Sequence, residues 1–284
     1  MNNKFSAKVN ILMATYNGGL YLKEQLDSIL AQSFNDFCLI VHDDGSVDNT
    51  LEIILEYANR FPEKIYLIDD GIKTGSARDN FFHLLGHSQA KYVMFSDQDD
   101  IWLPDKISKC MVLMNKLESE FPNLPIVVHT DLIVVDKTLN VISKSMFNYQ
   151  KLPRSSNCLL DILVQNSVTG CAMLVNRTAV SCSLPFNNHA AMHDWWIAAS
   201  CIKAGGFVEF IEEPTIMYRQ HDSNIIGSKE ISLRYFLFKL FNVFDLFRGY
   251  LIMYYQAKAI DSSVSMHNIF FYKVKNIIKR FFCS

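Results

Sequence analysis

Hydrophobic and polar positions in the first 120 residues alternate between short apolar runs and stretches with helical spacing. Four apolar runs predict buried strands, at residues 9–14, 37–41, Ile65–Ile68 and 92–95. Apolar residues then recur every three or four positions, beginning with Leu22, Leu26 and Ile29. Strands that alternate with helices of this length indicate right-handed βαβ units and a parallel sheet.

Cap and turn residues set the expected helix boundaries. Ser46 and Asp48 are candidate N-caps of the second helix, and Pro104 suits the first turn of the fourth. After residue 120 the pattern becomes mixed, with one further helix predicted at 193–204. Further strands are predicted at residues 126–135, 168–175, Phe207–Ile211 and 215–218. The whole pattern predicts an α/β fold with a mostly parallel central sheet flanked by helices.

Composition excludes some classes of protein. Half of the 284 residues are hydrophobic and 20% are charged, which excludes a disordered chain. The formal net charge of −2 speaks against nucleic acid as a partner. The first residues contain no apolar run typical of a signal peptide, and no apolar stretch is long enough to predict a transmembrane helix. Seven cysteines without a Cys-x-x-Cys pair indicate reduced thiols in a cytoplasmic protein, and neither a disulfide framework nor a cysteine zinc site.

The charge is unevenly distributed between two parts of the chain. Residues 1–230 carry a net charge of −8, and residues 231–284 carry +6 together with 9 of the 21 phenylalanines. Six apolar residues of the second part predict one helix face: Leu233, Leu237, Leu240, Phe244, Phe247 and Leu251. Residues 269–282 repeat this basic, phenylalanine-rich chemistry, which is typical of a helix at an anionic membrane surface. The alternative is a helix pair docked on the rest of the chain or on a dimer partner.

Polar clusters follow three of the predicted strands. They are Thr15 with Asn17, Asp43 with Asp44, and Asp97 with Asp99 and Asp100. Ligands of open α/β sheets lie outside the carboxyl ends of the strands. Because Asp97 and Asp99 are two apart in extended backbone, both point to one face, where Mg²⁺ or Mn²⁺ would offset their charge. A solvated acidic loop is the alternative for each cluster alone.

Several familiar motifs are missing, and a few residues of the second half stand out. The chain has no glycine-rich dinucleotide or P-loop motif and no Gly-x-Ser-x-Gly elbow. Asp194 precedes Trp195 and Trp196, as a base beside an aromatic wall or as an N-cap beside core tryptophans. His221 is a candidate metal ligand or a solvated side chain, and Arg78 is a candidate phosphate or base contact or a surface ion pair.

Four motifs carry a resemblance to a known family. They are Val9-Asn10-Ile11-Leu12-Met13-Ala14-Thr15-Tyr16-Asn17, His42-Asp43-Asp44-Gly45-Ser46, Asp97-Gln98-Asp99-Asp100 and His193-Asp194-Trp195. In this order they resemble the family 2 inverting glycosyltransferases with the GT-A fold. The nearest likeness is to the bacterial rhamnosyltransferase-like branch, through residues 130–136, 169–173 and 218–221. The resemblance implies a catalytic domain over 1–227 and leaves a helical C-terminal extension over 228–284.

The resemblance also implies roles for individual residues. Thr15, Asp43, Asp44, Arg78 and Asp97 would hold the nucleotide, and Asp99 with His221 would hold the divalent cation. Asp194 would be the general base, and Trp195 and Trp196 would border the acceptor. Two departures from the family pattern are His193, where many relatives have glutamate, and Lys73, in a loop that lacks the usual asparagine.

The resemblance implies a function that the residues support chemically. The protein would move a sugar, with L-rhamnose as a candidate, from a nucleotide-diphosphate donor to a hydroxyl of a cell-surface polysaccharide of O-antigen or capsule type. A glycan or lipid-linked acceptor fits a cytoplasmic enzyme that is peripheral on the inner face of the cell membrane. Two alternatives are a sugar nucleotidyltransferase of similar fold and a catalytically silent module that binds a glycan or a partner.

Overall fold

The structure is a computed structural model that describes residue 5 and residues 7–154, 157–221 and 243–282. Its strands are β1 Val9–Thr15, β2 Phe37–Asp43, β3 Ile65–Ile68, β4 Tyr92–Ser96, β5 Ile101–Trp102, β6 Ile126–Thr130, β7 Ile133–Val135, β8 Val141–Ser143, β9 Met173–Asn176, β10 Phe207–Ile211 and β11 Ile216–Arg219. Its helices are α1 Leu22–Leu30, α2 Thr50–Arg60, α3 Ala77–His87, α4 Lys106–Glu120, α5 Met146–Gln150, α6 Leu159–Val164, α7 Arg177–Cys182, α8 His193–Lys203, α9 Val243–Ile260 and α10 Met266–Phe282.

Seven strands form the main sheet, in the order β10-β6-β9-β4-β1-β2-β3. Four of the six neighbouring pairs are parallel, and only β9 runs antiparallel to both of its neighbours. The predicted α/β fold with a mostly parallel central sheet is therefore confirmed. The predicted alternation of β1 to β4 with α1 to α3 produces this arrangement, because parallel neighbours need a crossover helix.

The apolar run at 126–135 is two strands and not one, which corrects the sequence prediction. Strand β6 belongs to the main sheet, whereas β7 pairs with β11 and β8 in a second sheet of order β5-β11-β7-β8. The chain changes sheet at Asp131, whose carboxylate accepts hydrogen bonds from the backbone N–H groups of Leu132 and Phe147. The first bond satisfies a backbone donor that a continuous strand would have paired with a neighbour, and the second ties the start of α5 to this point.

Three other boundaries differ from the sequence prediction. The strand predicted at 168–175 is confined to β9, because Gly170–Ala172 forms a 3-10 turn. Helix α2 begins at Thr50, with Asn49 at the N-cap position. The Asp48 carboxylate accepts a hydrogen bond from the Thr50 backbone N–H, but Asp48 lies one residue before the cap position and is not the predicted N-cap. Helix α4 begins at Lys106, so Pro104 lies just before its first turn.

Each face of the main sheet is covered by its own hydrophobic cluster. Helices α1, α2 and α4 pack on one face, over Ile11, Leu39 and Met94. Helices α3 and α6 to α10 cover the other face, over Leu12 and Ile40. Because successive strand residues point to opposite faces, the continuous apolar runs of β1, β2 and β4 supply both clusters.

The C-terminal helices dock on the rest of the fold through one side. Ile269 of α10 is buried in the same cluster as the sheet and α8. Lys273 Nζ donates to the Val164 carbonyl at 2.8 Å, and Arg280 Nη1 lies 3.0 Å from Gln165 Oε1. The docked helix pair that the sequence left as an alternative is therefore present for α9 and α10.

The opposite side of α10 faces solvent with apolar side chains. Phe270 and Phe271 are 64% and 65% exposed, and Val274 and Ile278 are also exposed. Most of the helix face predicted from Leu233 to Leu251 lies outside the described residues, as does the predicted boundary at 227 and 228. Within the described ranges, no helix combines the length and hydrophobicity needed to cross a bilayer.

Candidate active site

Three predicted polar clusters meet at the carboxyl edge of the main sheet. In the parallel register Thr15 of β1 pairs with Asp43 of β2, and Met13 pairs with Ser96 of β4, directly before Asp97. Parallel strands end at the same edge, so the side chains that follow them converge.

The carboxylate of Asp43 fixes the turn after β2 through hydrogen bonds. Its carboxylate accepts from the Thr15 hydroxyl at 3.0 Å, and from the Ser46 hydroxyl at 2.6 Å and backbone N–H at 2.8 Å. These bonds join the ends of β1 and β2 into one rigid corner. Asp43 and Thr15 are therefore held in place by each other at the edge of the site.

Asp44 holds the loop that connects β3 to α3. Its carboxylate accepts backbone N–H bonds from Thr74 at 2.5 Å and from Gly75 at 2.9 Å. Gly75 has φ +77°, a conformation that side chains with a Cβ rarely adopt. Lys73 of the same loop lies against Gly45, where an added Cβ would come within 2.7 Å of Lys73 Cε. The lysine that departs from the family pattern thus packs on the Asp43–Ser46 turn.

Arg78 links α3 to the segment before α8. Its guanidinium makes a two-pronged pair with Asp79, with Nε–Oδ1 at 2.8 Å and Nη2–Oδ2 at 2.9 Å. Nη1 also donates to the carbonyls of Asn188 at 3.4 Å and Ala190 at 3.0 Å. These hydrogen bonds join Arg78 to Asp79 and to the 187–190 segment, and none of them reaches Thr15 or Asp44.

The acidic segment after β4 contacts the end of β11. His221 Nε2 lies 2.8 Å from Asp99 Oδ2, and both side chains are only slightly exposed. Arg219 Nε donates to the Asp99 carbonyl at 2.8 Å, and the Arg219 backbone N–H donates to Asp100 at 3.2 Å. The Tyr21 ring packs on Arg219 and His221. Its centroid is 4.4 Å from the Arg219 guanidinium carbon and 4.9 Å from the His221 ring centroid.

Negative charge is concentrated in this segment. Burial, followed by the charges of Asp99 and Asp194, raises the pKa of Asp97 to about 7. Burial, followed by Asp99 and Asp97, raises the pKa of Asp100 well above its usual range. Asp100 Oδ2 is buried without a hydrogen-bond partner among the described residues. Carboxylates packed this closely favour a bound cation.

The residues present fit a divalent cation. Asp99 and His221 converge within hydrogen-bond distance, and carboxylate oxygen with imidazole nitrogen suits Mn²⁺. Asp97, Asp100 and Cys171 form a second, deeper group whose potential ligand atoms all lie within 4.8 Å of one another. Burial and the two carboxylates raise the pKa of the Cys171 thiol, so it is a protonated neighbour of that group.

Asp194 lies in the first turn of α8 and is nearly buried. One oxygen accepts from the Gly170 backbone N–H at 2.9 Å, and the other from Asn166 Nδ2 at 3.2 Å. Burial raises the pKa of Asp194 to about 6, and these hydrogen bonds partly oppose that rise. Gly170 belongs to the Thr169–Met173 motif seen in the sequence, whereas Asn166 carried no sequence signal.

The residues around Asp194 divide between the site and the core. Trp195 is partly exposed and donates its indole N–H to the Ile162 carbonyl at 2.6 Å. Trp196 is 5% exposed and donates to the Ser183 carbonyl at 2.8 Å, on the side of α7. His193 is buried against Phe81 and Phe95, with ring centroids at 4.1 and 4.9 Å. Burial lowers the pKa of His193 to about 3, so it is a neutral packing residue.

One basic residue near the site was missed by sequence reasoning. Lys106 is fully buried at the start of α4, and its Nζ has no hydrogen-bond partner among the described residues. It lies 4.7 Å from the Trp102 ring centroid, and the charge of Asp100 partly offsets the burial that lowers its pKa. In the sequence, a lysine that follows Pro104 and Asp105 is typical of an exposed helix start. Its burial is seen only in the packed structure.

Comparison with known proteins gives matches in sequence and in structure. The model of glycosyl transferase family 2 matches residues 10–176. The dTDP-rhamnosyl transferase RfbG of Shigella flexneri is 30% identical over 223 residues, which cover 76% of this chain and 74% of RfbG. S. aureus TarS 1–349, solved with UDP-GlcNAc, has a TM-score of 0.64 at 17% identity, over 97% of this chain and 73% of that chain. The mannosyltransferase PcManGT of Pyrobaculum calidifontis, solved with GDP-Man and Mn²⁺, has a TM-score of 0.57 at 14% identity, over 99% and 83%.

These matches agree with the geometry of the site. The family match covers more than half of the chain and includes the Thr15, Asp43 and Asp99 segments. The structural neighbours share the GT-A fold. The chain also matches two further glycosyltransferases, spanning about half of their length. The chain thus belongs to glycosyltransferase family 2, in its rhamnosyltransferase-like branch, and the protein is a glycosyltransferase.

Proposed function

We propose that this glycosyltransferase moves a sugar from a nucleoside diphosphate donor to a hydroxyl of a growing cell-surface polysaccharide, with inversion at the anomeric carbon. L-rhamnose is the first candidate sugar, and an O-antigen or capsule-type glycan is the candidate product. The single observation that carries the proposal is the environment of Asp194, a nearly buried carboxylate beside the acidic segment after β4.

Asp194 has the properties of a general base. A pKa of about 6 leaves the carboxylate ionised near neutral pH and still basic enough to accept a proton. Its hydrogen bonds to Gly170 and Asn166 fix its orientation and still leave room for an acceptor hydroxyl, because each carboxylate oxygen can accept more than one bond. Asp194 also raises the pKa of Asp97, which indicates that the base lies within electrostatic reach of the donor side.

The proposed reaction is a single displacement. Asp194 takes the proton of the acceptor hydroxyl as the hydroxyl oxygen bonds to the anomeric carbon. The bond from that carbon to the diphosphate oxygen breaks on the opposite side, and the nucleoside diphosphate leaves with the electron pair. Attack opposite the leaving group inverts the configuration. General-base assistance of this kind contributes about 10²–10⁴-fold to the rate.

A divalent cation, Mg²⁺ or Mn²⁺, would be held by Asp99 and His221. When bound, it would supply positive charge to the departing diphosphate. Thr15, Asp43, Asp44, Arg78 and Asp97 are proposed to hold the nucleotide. The similarity to the dTDP-rhamnosyl transferase RfbG supports dTDP-L-rhamnose as the first donor to test. UDP-GlcNAc and GDP-Man, bound by the two structural neighbours, are the comparison donors.

We propose that Trp195 borders the acceptor. Its ring is partly exposed beside Asp194, and sugars often stack on aromatic faces. Trp196 is left out because burial and the hydrogen bond to Ser183 turn it toward the core. A glycan or lipid-linked acceptor also suits the exposed apolar side of α10. We propose that this side, with Lys279 nearby, attaches the enzyme peripherally to an anionic membrane on its cytoplasmic face.

The test is product analysis with the purified full chain. Each of the three nucleotide sugars is incubated with synthetic lipid-linked glycan acceptors and Mn²⁺, and the anomeric configuration of the product is read by NMR. We expect transfer of one sugar with a configuration opposite to that of the donor. A product of retained configuration, or transfer by Asp194→Asn at the wild-type rate, would overturn the proposed mechanism.

The two alternative functions predict different outcomes, and a parallel incubation with a nucleoside triphosphate and a sugar phosphate tests the first of them. A sugar nucleotidyltransferase would release pyrophosphate from a nucleoside triphosphate and a sugar phosphate, and a silent module would form no product from any donor. The loop at residues 15–19 carries no basic side chain to grip a triphosphate, which favours the transferase.

A further inference from the structure

A further group of potential metal ligands, apart from the two near Asp97 and Asp99, lies beside the loop held by Asp44. It consists of His42 at the end of β2, Asp70 after β3, and His83 and His87 on α3. Residues four apart share one face of a helix, so both α3 histidines point toward the same place. One ring nitrogen each of His42 and His83 and one carboxylate oxygen of Asp70 all lie within 4.8 Å of one another.

Asp70 is the centre of the group. His83 Nε2 lies 2.8 Å from Asp70 Oδ2, and His87 Nε2 lies 3.8 Å from the same oxygen. His42 Nε2 lies 3.5 Å from Asp70 Oδ1. Atoms that ligate one tetrahedral ion at about 2.0–2.2 Å lie roughly 3.3–3.6 Å from each other. The separations of 3.5 Å to Oδ1 and of 2.8 and 3.8 Å to Oδ2 lie on either side of that distance, and His87 is outside the group whose ligand atoms all lie within 4.8 Å of one another.

The tautomer of His42 is fixed by Asn80. The Asn80 amide nitrogen donates to the His42 carbonyl at 3.2 Å, so its Oδ1 is the atom that lies 2.8 Å from His42 Nδ1. Nδ1 therefore carries a hydrogen, and in a neutral ring Nε2 has a lone pair directed at the Asp70 carboxylate. A lone pair facing a carboxylate is unfavourable unless a proton or a metal ion lies between them, so Nε2 is a place where either can bind. Metal-ligating histidines show this pattern, with the other ring nitrogen donating to an oxygen.

We propose that His42, Asp70 and His83 bind one divalent transition-metal ion of the zinc class, and that the His87 side chain turns toward Asp70 to complete the site. Three imidazoles and one carboxylate match the ligand preferences of Zn²⁺, whereas Mg²⁺ prefers oxygen ligands. This site is chemically different from Asp99 and His221, and it is separate from the Asp97, Asp100 and Cys171 group. Its ligands come from three elements of the fold, so the ion would link β2, the loop after β3 and α3.

The proposed ion would stabilise the loop between β3 and α3. Asp70 lies at the start of this loop, and the backbone of Thr74 and Gly75 in the same loop binds Asp44. His42 and Asp44 are both at the end of β2, so the ion and Asp44 would hold the loop at two points. The resulting effect on nucleotide affinity rests on the proposed function, whereas metal binding does not.

The experiment measures metal binding by the full chain, purified without a histidine tag and stripped with a chelator. Co²⁺ is titrated at pH 7.5 and its visible d–d absorption recorded, followed by displacement with Zn²⁺. We expect one equivalent of Co²⁺ with the intense absorption of a tetrahedral site. Because outer-shell partners alone change affinity by about 10–100-fold, His83→Ala and Asp70→Asn should each weaken Co²⁺ binding at least about tenfold.

Two matched variants separate this site from other sources of metal binding. His267→Ala removes an exposed histidine on α10, and Asp99→Asn removes the proposed donor-side ligand; both should keep the Co²⁺ spectrum. Melting temperatures without metal show whether each variant is folded. In wild type, Zn²⁺ should raise the melting temperature, and in folded His83→Ala it should not. Wild-type affinity in folded His83→Ala, or no tetrahedral spectrum in wild type, overturns the proposal even if sugar transfer is confirmed.

Discussion

His221 Nε2 lies 2.8 Å from Asp99 Oδ2, although 122 residues separate the two in the sequence. The contact joins the acidic segment after β4 to the end of β11. It is held by Arg219, which donates to the Asp99 carbonyl, and by the Tyr21 ring. In the proposed cation site this pair would supply one oxygen and one nitrogen ligand from two separate elements, so a shift of either element would change the site.

Loss of His221 should weaken cation use without unfolding the protein. We expect His221→Ala to raise the Mn²⁺ concentration needed for half-maximal transfer at least about tenfold, because one of two charged or polar ligands is lost. The measurement is transfer rate against free Mn²⁺ at saturating donor. His267→Ala, which removes an exposed histidine on α10, is the control. An unchanged Mn²⁺ dependence would exclude His221 as a ligand.

The pH dependence of transfer should report Asp194. The base must be ionised, and burial raises its pKa to about 6, so activity should fall as pH decreases through about 6. Below that value the rate should decrease about tenfold for each pH unit. The measurement is kcat/KM from pH 4.5 to 8 with donor in excess. An acid limb near pH 4 would contradict the burial that the structure gives this carboxylate.

Asn166 should position Asp194 and tune its pKa. Its amide donates to the ionised carboxylate, so removing it in Asn166→Ala favours the protonated form and raises the pKa. We expect the acid limb of the pH profile to move to higher pH, while donor affinity stays within about twofold. Asn166→Asp adds a like charge beside Asp194 and should move the limb further in the same direction. A profile unchanged in Asn166→Ala would show that the hydrogen bond has no effect on the base.

The C-terminal helices should unfold together with the sheet. Ile269 is fully buried in the cluster that includes Leu12 and Ile40, so Ile269→Ala should lower the free energy of unfolding by about 2–5 kcal/mol. Chemical denaturation followed by fluorescence should show one transition that moves as a whole. Phe270→Ala, one position away and exposed, should change the free energy by less than about 0.5 kcal/mol. A separate early transition in Ile269→Ala would instead indicate an independent C-terminal domain.

The exposed apolar side of α10 should be needed for membrane attachment. Burying a phenylalanine side chain contributes about 1.5–3 kcal/mol, so the double variant Phe270→Ser with Phe271→Ser should lower vesicle binding at least about tenfold. The measurement is flotation with vesicles that contain anionic lipid. Val112→Ser is the matched control, because Val112 is an exposed apolar residue of α4 on the other side of the sheet. Equal flotation of all three proteins would exclude this surface.

The sequence by itself determined the first half of the fold. Each of β1 to β4 is a short apolar run, and α1 to α3 follow with apolar residues at helical spacing. These are local signals, because burial on both faces of a parallel sheet requires continuous apolar runs. The strand ends also placed Thr15, Asp43 and Asp97 at one edge, since parallel strands end together. The fold family followed from four short motifs and from their order along the chain, and both are read directly from the sequence.

Other features depended on contacts between distant segments, and only the tertiary structure decided them. The run at 126–135 divides between two sheets because β7 pairs with β11, about 80 residues away. Trp196 turns to the core and bonds to the Ser183 carbonyl after α7, whereas Trp195 bonds to the Ile162 carbonyl of α6 and stays partly exposed. The approach of His221 to Asp99, and of His42 to Asp70 and His83, likewise depends on how the strands and helices pack. Residue spacing limits which side chains share one element, but packing decides which elements meet.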